Sequence, residues 1–192
     1  SISTRKQVQW LGSRCIGCDS CIEACEEHGL THNADGIARD RALFTFIAMS
    51  PEPIRTVIGD GRLSLQREAP ASFDLVVMDA FSSDAIPMHL TTSEAIAVYL
   101  ARLRTDGVLV FHISNRHLDL EPALVAAASA HGVIVLTNAD VEIDEAEFRQ
   151  GKIASVWLVM TKSTRVADAF RFTTEWRPGR GRGRLRRWTD ES

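Results

Sequence analysis

The sequence predicts an α/β protein with a mainly parallel sheet, preceded by a small cysteine-rich segment. From residue 44 onward, short apolar runs of strand length alternate with helical segments of about a dozen residues. The run at 73–79 is almost continuously apolar, as expected of a strand that is buried on both faces of a sheet. All four cysteines lie between residues 15 and 25, in a polar block that ends near residue 43.

The predicted strands of the larger block are apolar or β-branched runs that end at turn residues. The first run is β-branched and is followed by Asp60-Gly61, which indicates a strand and then a turn. The predicted strands lie at 54–59, 73–79, 108–113, 133–136 and 155–161.

An amphipathic helix is predicted over 92–104, where apolar residues recur at helical spacing. Thr91 or Thr92 is its expected cap, and Glu94 lies in its first turn. We expect Asp106-Gly107 to break this helix before the next strand begins.

A second helix is predicted over 120–131, an Ala-rich stretch that Gly132 ends. Residues 140–152 are acidic and are predicted to be irregular. Because strands and helices alternate, we expect a mainly parallel sheet with its ligand site at the carboxyl ends of the strands.

Polar residues lie at the ends of three predicted strands, at 60–61, 79–84 and 112–115, and Asp60 and Gly61 follow the first of these strands. A carboxylate in this position can accept a hydrogen bond from an adenine amino group or a substrate amine, and glycine lets a flat ring approach the backbone. The alternative is a simple turn, which these two residues by themselves favour.

Asp79 and Asp84 place two carboxylates on one loop after a central strand. Such a pair can bind a cationic amine and take its proton. A primary amine with a pKa of about 10 is almost wholly protonated at neutral pH, so transfer to its nitrogen needs a nearby base. The alternative is that Asp79 caps a helix or a turn and that Asp84 faces solvent.

Three runs in a fixed order resemble the spermidine synthase family. They are VIGDGRLSL at 57–65, FDLVVMDAFSSDAIPMHLTTSEA at 73–95 and DGVLVFHISNRHLDL at 106–120. The likeness is strongest to the bacterial branch that is often fused to transporter-like membrane segments, and RWTD at 187–190 is similar to that branch too. The resemblance covers residues 44–190 and implies part of a methyltransferase-like Rossmann sheet.

The resemblance implies a role for each residue at the strand ends. Asp60, with Gly61, would hold the adenine end of decarboxylated S-adenosylmethionine, and Asp79 would hold the amine or propylamine end. Asp84 would deprotonate the attacking nitrogen of putrescine, and the aminopropyl group would then leave the sulfonium without the help of a metal. The loop is longer than the Asp-Ser-Ser-Asp of the best-known members. His89 is similar to a histidine of the branch and is interpreted as structural.

The resemblance begins just before the family's third strand, so we expect the sheet to lack the first two strands. Those strands carry the glycine-rich loop under the cofactor and the acid that binds the ribose hydroxyls. Without them two buried strand edges are unpaired, and residues 54–59 are predicted either to dock in another position or to pair with another chain, as in a homo-oligomer. An incomplete donor site makes an inactive chain one alternative.

The cysteines follow the C-x2-C-x2-C-x3-C spacing of bacterial ferredoxins, whose thiolates bind a [4Fe-4S] cluster. The run QWLGSRCIGCDSCIEAC at 9–25 resembles the ferredoxin-like insert of radical enzymes that activate glycyl-radical enzymes. Glu26 stands where the ferredoxins have proline. Zinc is the second alternative, and reduced, metal-free thiols are the third. The cysteines are Cys15, Cys18, Cys21 and Cys25.

These patterns divide the chain into a cysteine-rich segment at 1–43, a Rossmann-like domain at 44–176 and an Arg/Gly-rich tail at 177–192 that ends in Trp-Thr-Asp. The net charge is −3, although the tail is strongly basic. Short basic runs are more often solvated linkers than nucleic-acid sites, so nucleic-acid binding is the less favoured alternative. No apolar run approaches the ~20 residues that cross a bilayer, and no secretory signal is visible, which predicts a cytoplasmic protein.

Three functions remain open at this point. The first is a spermidine synthase-like aminopropyltransferase that acts on a small polyamine. The second is an iron–sulfur electron-transfer or interaction module, and the third is a methyltransferase-like enzyme, because one fold hosts many reactions. Since aminopropyl transfer involves no electron transfer, the two blocks indicate either an unusual fusion or a join introduced by gene prediction or assembly.

Overall fold

The structure, a computed structural model, describes residues 30–33, 36–39, 57, 59–79, 87–115, 118–173, 175–181 and 188–191. Strands β1 (Leu30–Asn33) and β2 (Gly36–Arg39) pair antiparallel and form a sheet of their own. The predicted cysteine site at 15–25 and most of the predicted strand at 54–59 lie outside the described residues.

A five-stranded sheet forms the centre of the larger block, and its spatial order is β3-β4-β6-β5-β7. Its strands are β3 (Phe73–Met78), β4 (Leu103–His112), β5 (Ile134–Asp140), β6 (Ser155–Thr161) and β7 (Arg177–Pro178). The predicted α/β class is confirmed. β6 has the predicted bounds, whereas β5 is longer than predicted.

For the pairing of neighbouring strands, the expectation of a mainly parallel sheet is wrong, because three of the four pairs between described strands are antiparallel. β3 and β4 pair parallel, but β6 runs antiparallel between β4 and β5, and β7 is antiparallel to β5. β6 follows β5 along the chain and returns beside it, as antiparallel neighbours can without a crossover helix. β3, β4 and β5 still point the same way, so their carboxyl ends share one edge of the sheet.

Five helices surround the sheet in the described part of the chain. They are α1 (Gly61–Arg67), α2 (Ser93–Arg102), α3 (Glu121–Ala128), α4 (Glu145–Arg149) and α5 (Thr164–Thr173). The sequence analysis predicts neither α1 nor α5. The expectation that 140–152 is irregular is wrong, because Asp144 and Glu147 form a capping box that starts α4.

Helix α2 begins as predicted. Oγ1 of Thr92 accepts a hydrogen bond from the backbone N–H of Ala95 at 3.2 Å, so Thr92 rather than Thr91 is the cap. Glu94 lies in the first turn, where a carboxylate interacts favourably with the helix dipole.

The predicted break at residues 106–107 is wrong, because α2 ends earlier and these residues lie inside β4. Phe73 of β3 is opposite Leu103, yet Leu75 is already opposite Val108, so β4 contains extra residues between the two pairs. The turn-forming Asp-Gly sequence is therefore accommodated as an irregularity within the strand.

The core lies where α2 and α3 pack against the sheet. Large side chains from both helices and from three strands are fully buried there. They include Ile96, Tyr99, Leu124, Met78, Leu109, Phe111, Leu158 and Met160. None of the helices in the described ranges combines the length and apolar composition needed to span a bilayer.

The start of the Arg/Gly-rich tail is docked against the sheet. The backbone N–H of Gly179 donates to the carbonyl of Val135 at 2.9 Å. Arg177 and Arg180 both bind the buried carboxylate of Glu121. The interpretation of this segment as a solvated linker is therefore wrong for residues 177–181.

Gly132 ends the second predicted helix, as expected. A 3₁₀ turn at Ser129–His131 follows α3, and Gly132 then adopts a left-handed conformation with φ of 62°. Because a β-carbon is strained in this region, we expect Gly132→Ala to lower the free energy of unfolding by about 1 kcal/mol in urea denaturation. Gly132→Asn is the control, since asparagine tolerates this conformation. Equal losses for the two variants contradict the argument from backbone strain.

Candidate active site

Asp79 lies directly after β3, and its side chain is 51% exposed. Its Oδ1 is 2.9 Å from Nδ1 of His112, which is the last residue of β4. Because β3 and β4 are parallel neighbours, their carboxyl ends bring these two residues together. The sheet edge thus presents a half-exposed carboxylate with one oxygen bound to a histidine.

The imidazole of His112 is held on one face and at both nitrogens. Its ring stacks on that of Trp157, with centroids 4.5 Å apart and planes at 21°. The two residues are direct partners in the antiparallel pairing of β4 with β6. Oγ of Ser114 lies 2.7 Å from Nε2 of His112 and accepts a hydrogen bond from the backbone N–H of Val156 at 2.8 Å. These contacts fix the position of the histidine relative to the sheet.

Asp60 is the N-cap of α1. Its Oδ1 accepts a hydrogen bond from the backbone N–H of Leu63 at 2.9 Å, and its Oδ2 lies 3.0 Å from Nε2 of His89. Gly61 is the first helical residue and is buried. An adenine amino group, as expected from the resemblance, can share either oxygen with these partners, because each carboxylate oxygen accepts more than one hydrogen bond.

The Trp-Thr-Asp segment docks beside this cap. Nη1 and Nη2 of Arg62 donate to the two carboxylate oxygens of Asp190 at 2.7 and 2.6 Å. The hydroxyl of Thr92 donates to Oδ1 of Asp190 at 2.8 Å, and Nη1 of Arg62 also donates to the carbonyl of His89 at 3.0 Å. The hydrogen bonds from Arg62 and the charge beside it lower the pKa of Asp190 to about 2. We refer to Arg62, Thr92 and Asp190 as the C-terminal clamp.

The predicted site residues fall into three groups. Asp79 lies at the carboxyl edge of the sheet, and Asp60 with Gly61 lies at the start of α1. Each aspartate is paired with a different histidine. Asp84 lies outside the described residues, as do the four cysteines, so their roles stay predictions.

The sequence pattern assigns no role to His112, Ser114 or Trp157. His112 and Ser114 lie at the end of a predicted strand, whereas Trp157 lies inside β6, and its contact with His112 depends on β6 lying next to β4. Strand order is not encoded in local apolar runs. The signal in the sequence that points to His112 and Ser114 is the concentration of polar residues at the end of a buried strand.

By fold and site, the chain is an α/β protein with a mixed five-stranded sheet and a carboxylate site at the strand ends. No family model matches the sequence, and no curated protein matches it. The solved structures similar to it include a probable spermidine synthase from Corynebacterium glutamicum, at 17% identity and a TM-score of 0.43 over 72% of this chain. The spermidine synthase of Thermotoga maritima aligns at 15% identity and a TM-score of 0.44 over 79%. MNMC2 from Aquifex aeolicus aligns at 18% and 0.42 over 65%.

The chain spans only part of the length of these proteins. It covers 55% of the Corynebacterium protein, 50% of the Thermotoga protein and 37% of the Aquifex protein. An activity of those whole proteins is therefore a proposal when it is assigned to this chain.

Proposed function

We propose that the sheet edge is the acceptor side of an aminopropyltransferase site and binds a cationic polyamine such as putrescine. The observation that carries the proposal is the half-exposed carboxylate of Asp79 at the end of β3. A carboxylate binds an ammonium group by charge-assisted hydrogen bonds, which are among the stronger polar contacts in proteins. The ordered motifs at 57–65, 73–95 and 106–120 support the same function.

In the proposed reaction, Asp79 holds the ammonium end of the acceptor and Asp84 removes the proton from the attacking nitrogen. The neutral nitrogen then attacks the aminopropyl carbon attached to the sulfonium of decarboxylated S-adenosylmethionine. The new N–C bond forms as the C–S bond breaks, and its electron pair stays on sulfur as a thioether. Asp60 and Gly61 are proposed to hold the adenine end of the donor.

On the donor side, Oδ1 of Asp60 accepts the capping hydrogen bond of α1, and Oδ2 lies 3.0 Å from Nε2 of His89. A methyltransferase-like reaction would use the same donor chemistry but would not require acids for a cationic acceptor. The two carboxylates at 79 and 84 therefore favour the amine acceptor. For residues 1–43, the ferredoxin-type spacing supports a separate proposal of a [4Fe-4S] cluster.

Asp79→Asn is expected to weaken putrescine binding about tenfold, because the amide removes the charge that a cation-binding hydrogen bond uses. Isothermal titration of putrescine, with and without decarboxylated S-adenosylmethionine, measures this change. Asp84→Asn is expected to retain binding and to lose transfer of the aminopropyl group.

Asp74→Asn is the matched control. It makes the same charge change on β3 itself, where Asp74 binds Arg104 rather than the candidate site. Its putrescine affinity should equal that of the wild type. A wild-type protein that binds no polyamine, or equal losses for Asp74→Asn and Asp79→Asn, contradicts the proposed function.

A further inference from the structure

We propose that His112 is a positioning residue of the acceptor site, and that it holds Asp79 in the orientation that receives an ammonium group. This inference rests on the proposed function and extends it to a side chain that the sequence pattern did not assign. His112 contacts Asp79 from the neighbouring strand β4, since its Nδ1 lies 2.9 Å from Oδ1 of that carboxylate.

The hydrogen-bond network assigns the tautomer of His112. An ionised carboxylate has no hydrogen to donate, so Nδ1 of His112 carries the hydrogen that Oδ1 of Asp79 accepts. Ser114 accepts a hydrogen bond from the N–H of Val156 and is free to give its own hydroxyl hydrogen to Nε2. The neutral ring is therefore an Nδ1–H imidazole. The contacts at its two nitrogens fix the direction in which the Nδ1–H group points.

The backbone makes this arrangement rigid. The carbonyl of Val156 accepts from the N–H of Ile113 at 2.8 Å, which continues the β4–β6 pairing beyond His112. The stack on Trp157 restricts rotation of the imidazole about its χ2 angle. A carboxylate bound through one oxygen to such a ring loses much of its rotational freedom before the substrate arrives. Preorganisation of this kind improves affinity because less entropy is lost on binding.

The same three residues have the connectivity of a Ser-His-Asp triad, which offers a competing role for Ser114 as a nucleophile. The hydroxyl of Ser114, however, is tied into the sheet by the N–H of Val156. A hydroxyl that accepts a backbone hydrogen bond is a poorer nucleophile and a better anchor for the ring. The geometry therefore favours positioning over hydrolysis.

The test compares two replacements of His112 in the full chain. Asparagine carries an N–H close to the position of Nδ1, whereas phenylalanine keeps a ring that stacks on Trp157 and has no donor. We expect His112→Phe to weaken putrescine binding about fivefold and His112→Asn to stay within about twofold of the wild type, as the loss of one hydrogen bond requires. Affinity for decarboxylated S-adenosylmethionine should not change in either variant.

His131→Phe is the control, because the imidazole of His131 hydrogen-bonds to Ser93 of α2 rather than to Asp79. It should leave the putrescine affinity unchanged. Two-dimensional NMR of the wild type should show that the neutral ring of His112 carries its hydrogen on Nδ1.

Four results overturn the inference. They are the opposite tautomer, equal putrescine affinities for wild type and His112→Phe, equal losses for the two His112 variants, and covalent labelling of Ser114 by a serine-directed fluorophosphonate. If the wild type binds no putrescine, the proposed function itself is wrong, and this inference is wrong with it. If the wild type binds and His112→Phe binds equally well, only the role of His112 fails.

Discussion

Replacing Glu121 by glutamine is expected to lower the free energy of unfolding by roughly 2–3 kcal/mol at pH 7. Glu121 begins α3, and only 3% of its side chain is exposed. Arg177 donates to its two oxygens at 2.6 and 2.8 Å, and the backbone N–H of Arg180 donates to Oε1 at 2.8 Å. An amide would leave the guanidinium groups without their anion. We expect a loss at or just below the lower end of the range of about 3–5 kcal/mol for buried pairs, because the side chain of Arg180 is 68% exposed.

The stabilisation by Glu121 should depend on pH. Burial by itself raises the pKa of Glu121, but the hydrogen bonds from Arg177 and from the backbone N–H of Arg180 outweigh it, so the pKa falls from 4.5 to about 2. Because the folded value is the lower one, the stabilisation is fully present above the unfolded pKa and is lost as the pH falls through about 2. The difference between wild type and Glu121→Gln in urea denaturation should therefore be largest at neutral pH and shrink below pH 4.5.

Glu145→Gln is the matched control for this prediction. Glu145 also pairs with an arginine, Arg149, but both side chains are largely exposed to solvent on α4. An exposed pair of this kind contributes about 0.5 kcal/mol or less. Equal losses for the two variants would show that burial of the Glu121 carboxylate does not determine how much it contributes to the free energy of unfolding.

The role of Glu121 shows what the sequence could not predict. The start of the second helix was predicted, but the partners of Glu121 lie more than fifty residues further along the chain, in a segment whose composition indicates a solvated linker. Local composition reports the average behaviour of such segments, whereas docking depends on one buried counter-charge. Gly179 shows the same limit, since a β-carbon there would lie 2.9 Å from side-chain atoms of Val125 and Val135.

The candidate site was predictable where local pattern determines position. Asp79 was placed correctly after a strand, because the apolar run at 73–79 fixes where that strand ends. The partner His112 lies near the end of another predicted strand, but its contact with Asp79 requires β3 and β4 to be neighbours. Trp157 required the insertion of β6 between β4 and β5, which no run of residues encodes. Sequence thus located the ends of the strands, and tertiary pairing determined which ends meet.

Asp190→Asn is expected to lower the free energy of unfolding by about 1.5 kcal/mol and to increase hydrogen exchange at residues 188–191. The variant replaces a bidentate acceptor by an amide that offers one oxygen to Arg62, whose side chain is only 16% exposed. Asp190 itself is 43% exposed, so solvent screening reduces the stabilisation that corresponds to its lowered pKa. The folded pKa is about 2 against an ordinary 3.8, so the contribution is present above pH 3.8 and is lost as the pH falls through about 2.

The C-terminal clamp also links the chain end to the proposed donor site. Arg62 donates to the carbonyl of His89, and the ring of His89 binds Asp60. Loss of Asp190 should therefore weaken binding of decarboxylated S-adenosylmethionine while the putrescine affinity, which depends on Asp79, stays unchanged. Asp168→Asn, which breaks an exposed pair with Arg171 on α5, controls for the charge change. Equal weakening of both ligands would indicate a global effect on the fold rather than a local effect at Asp60.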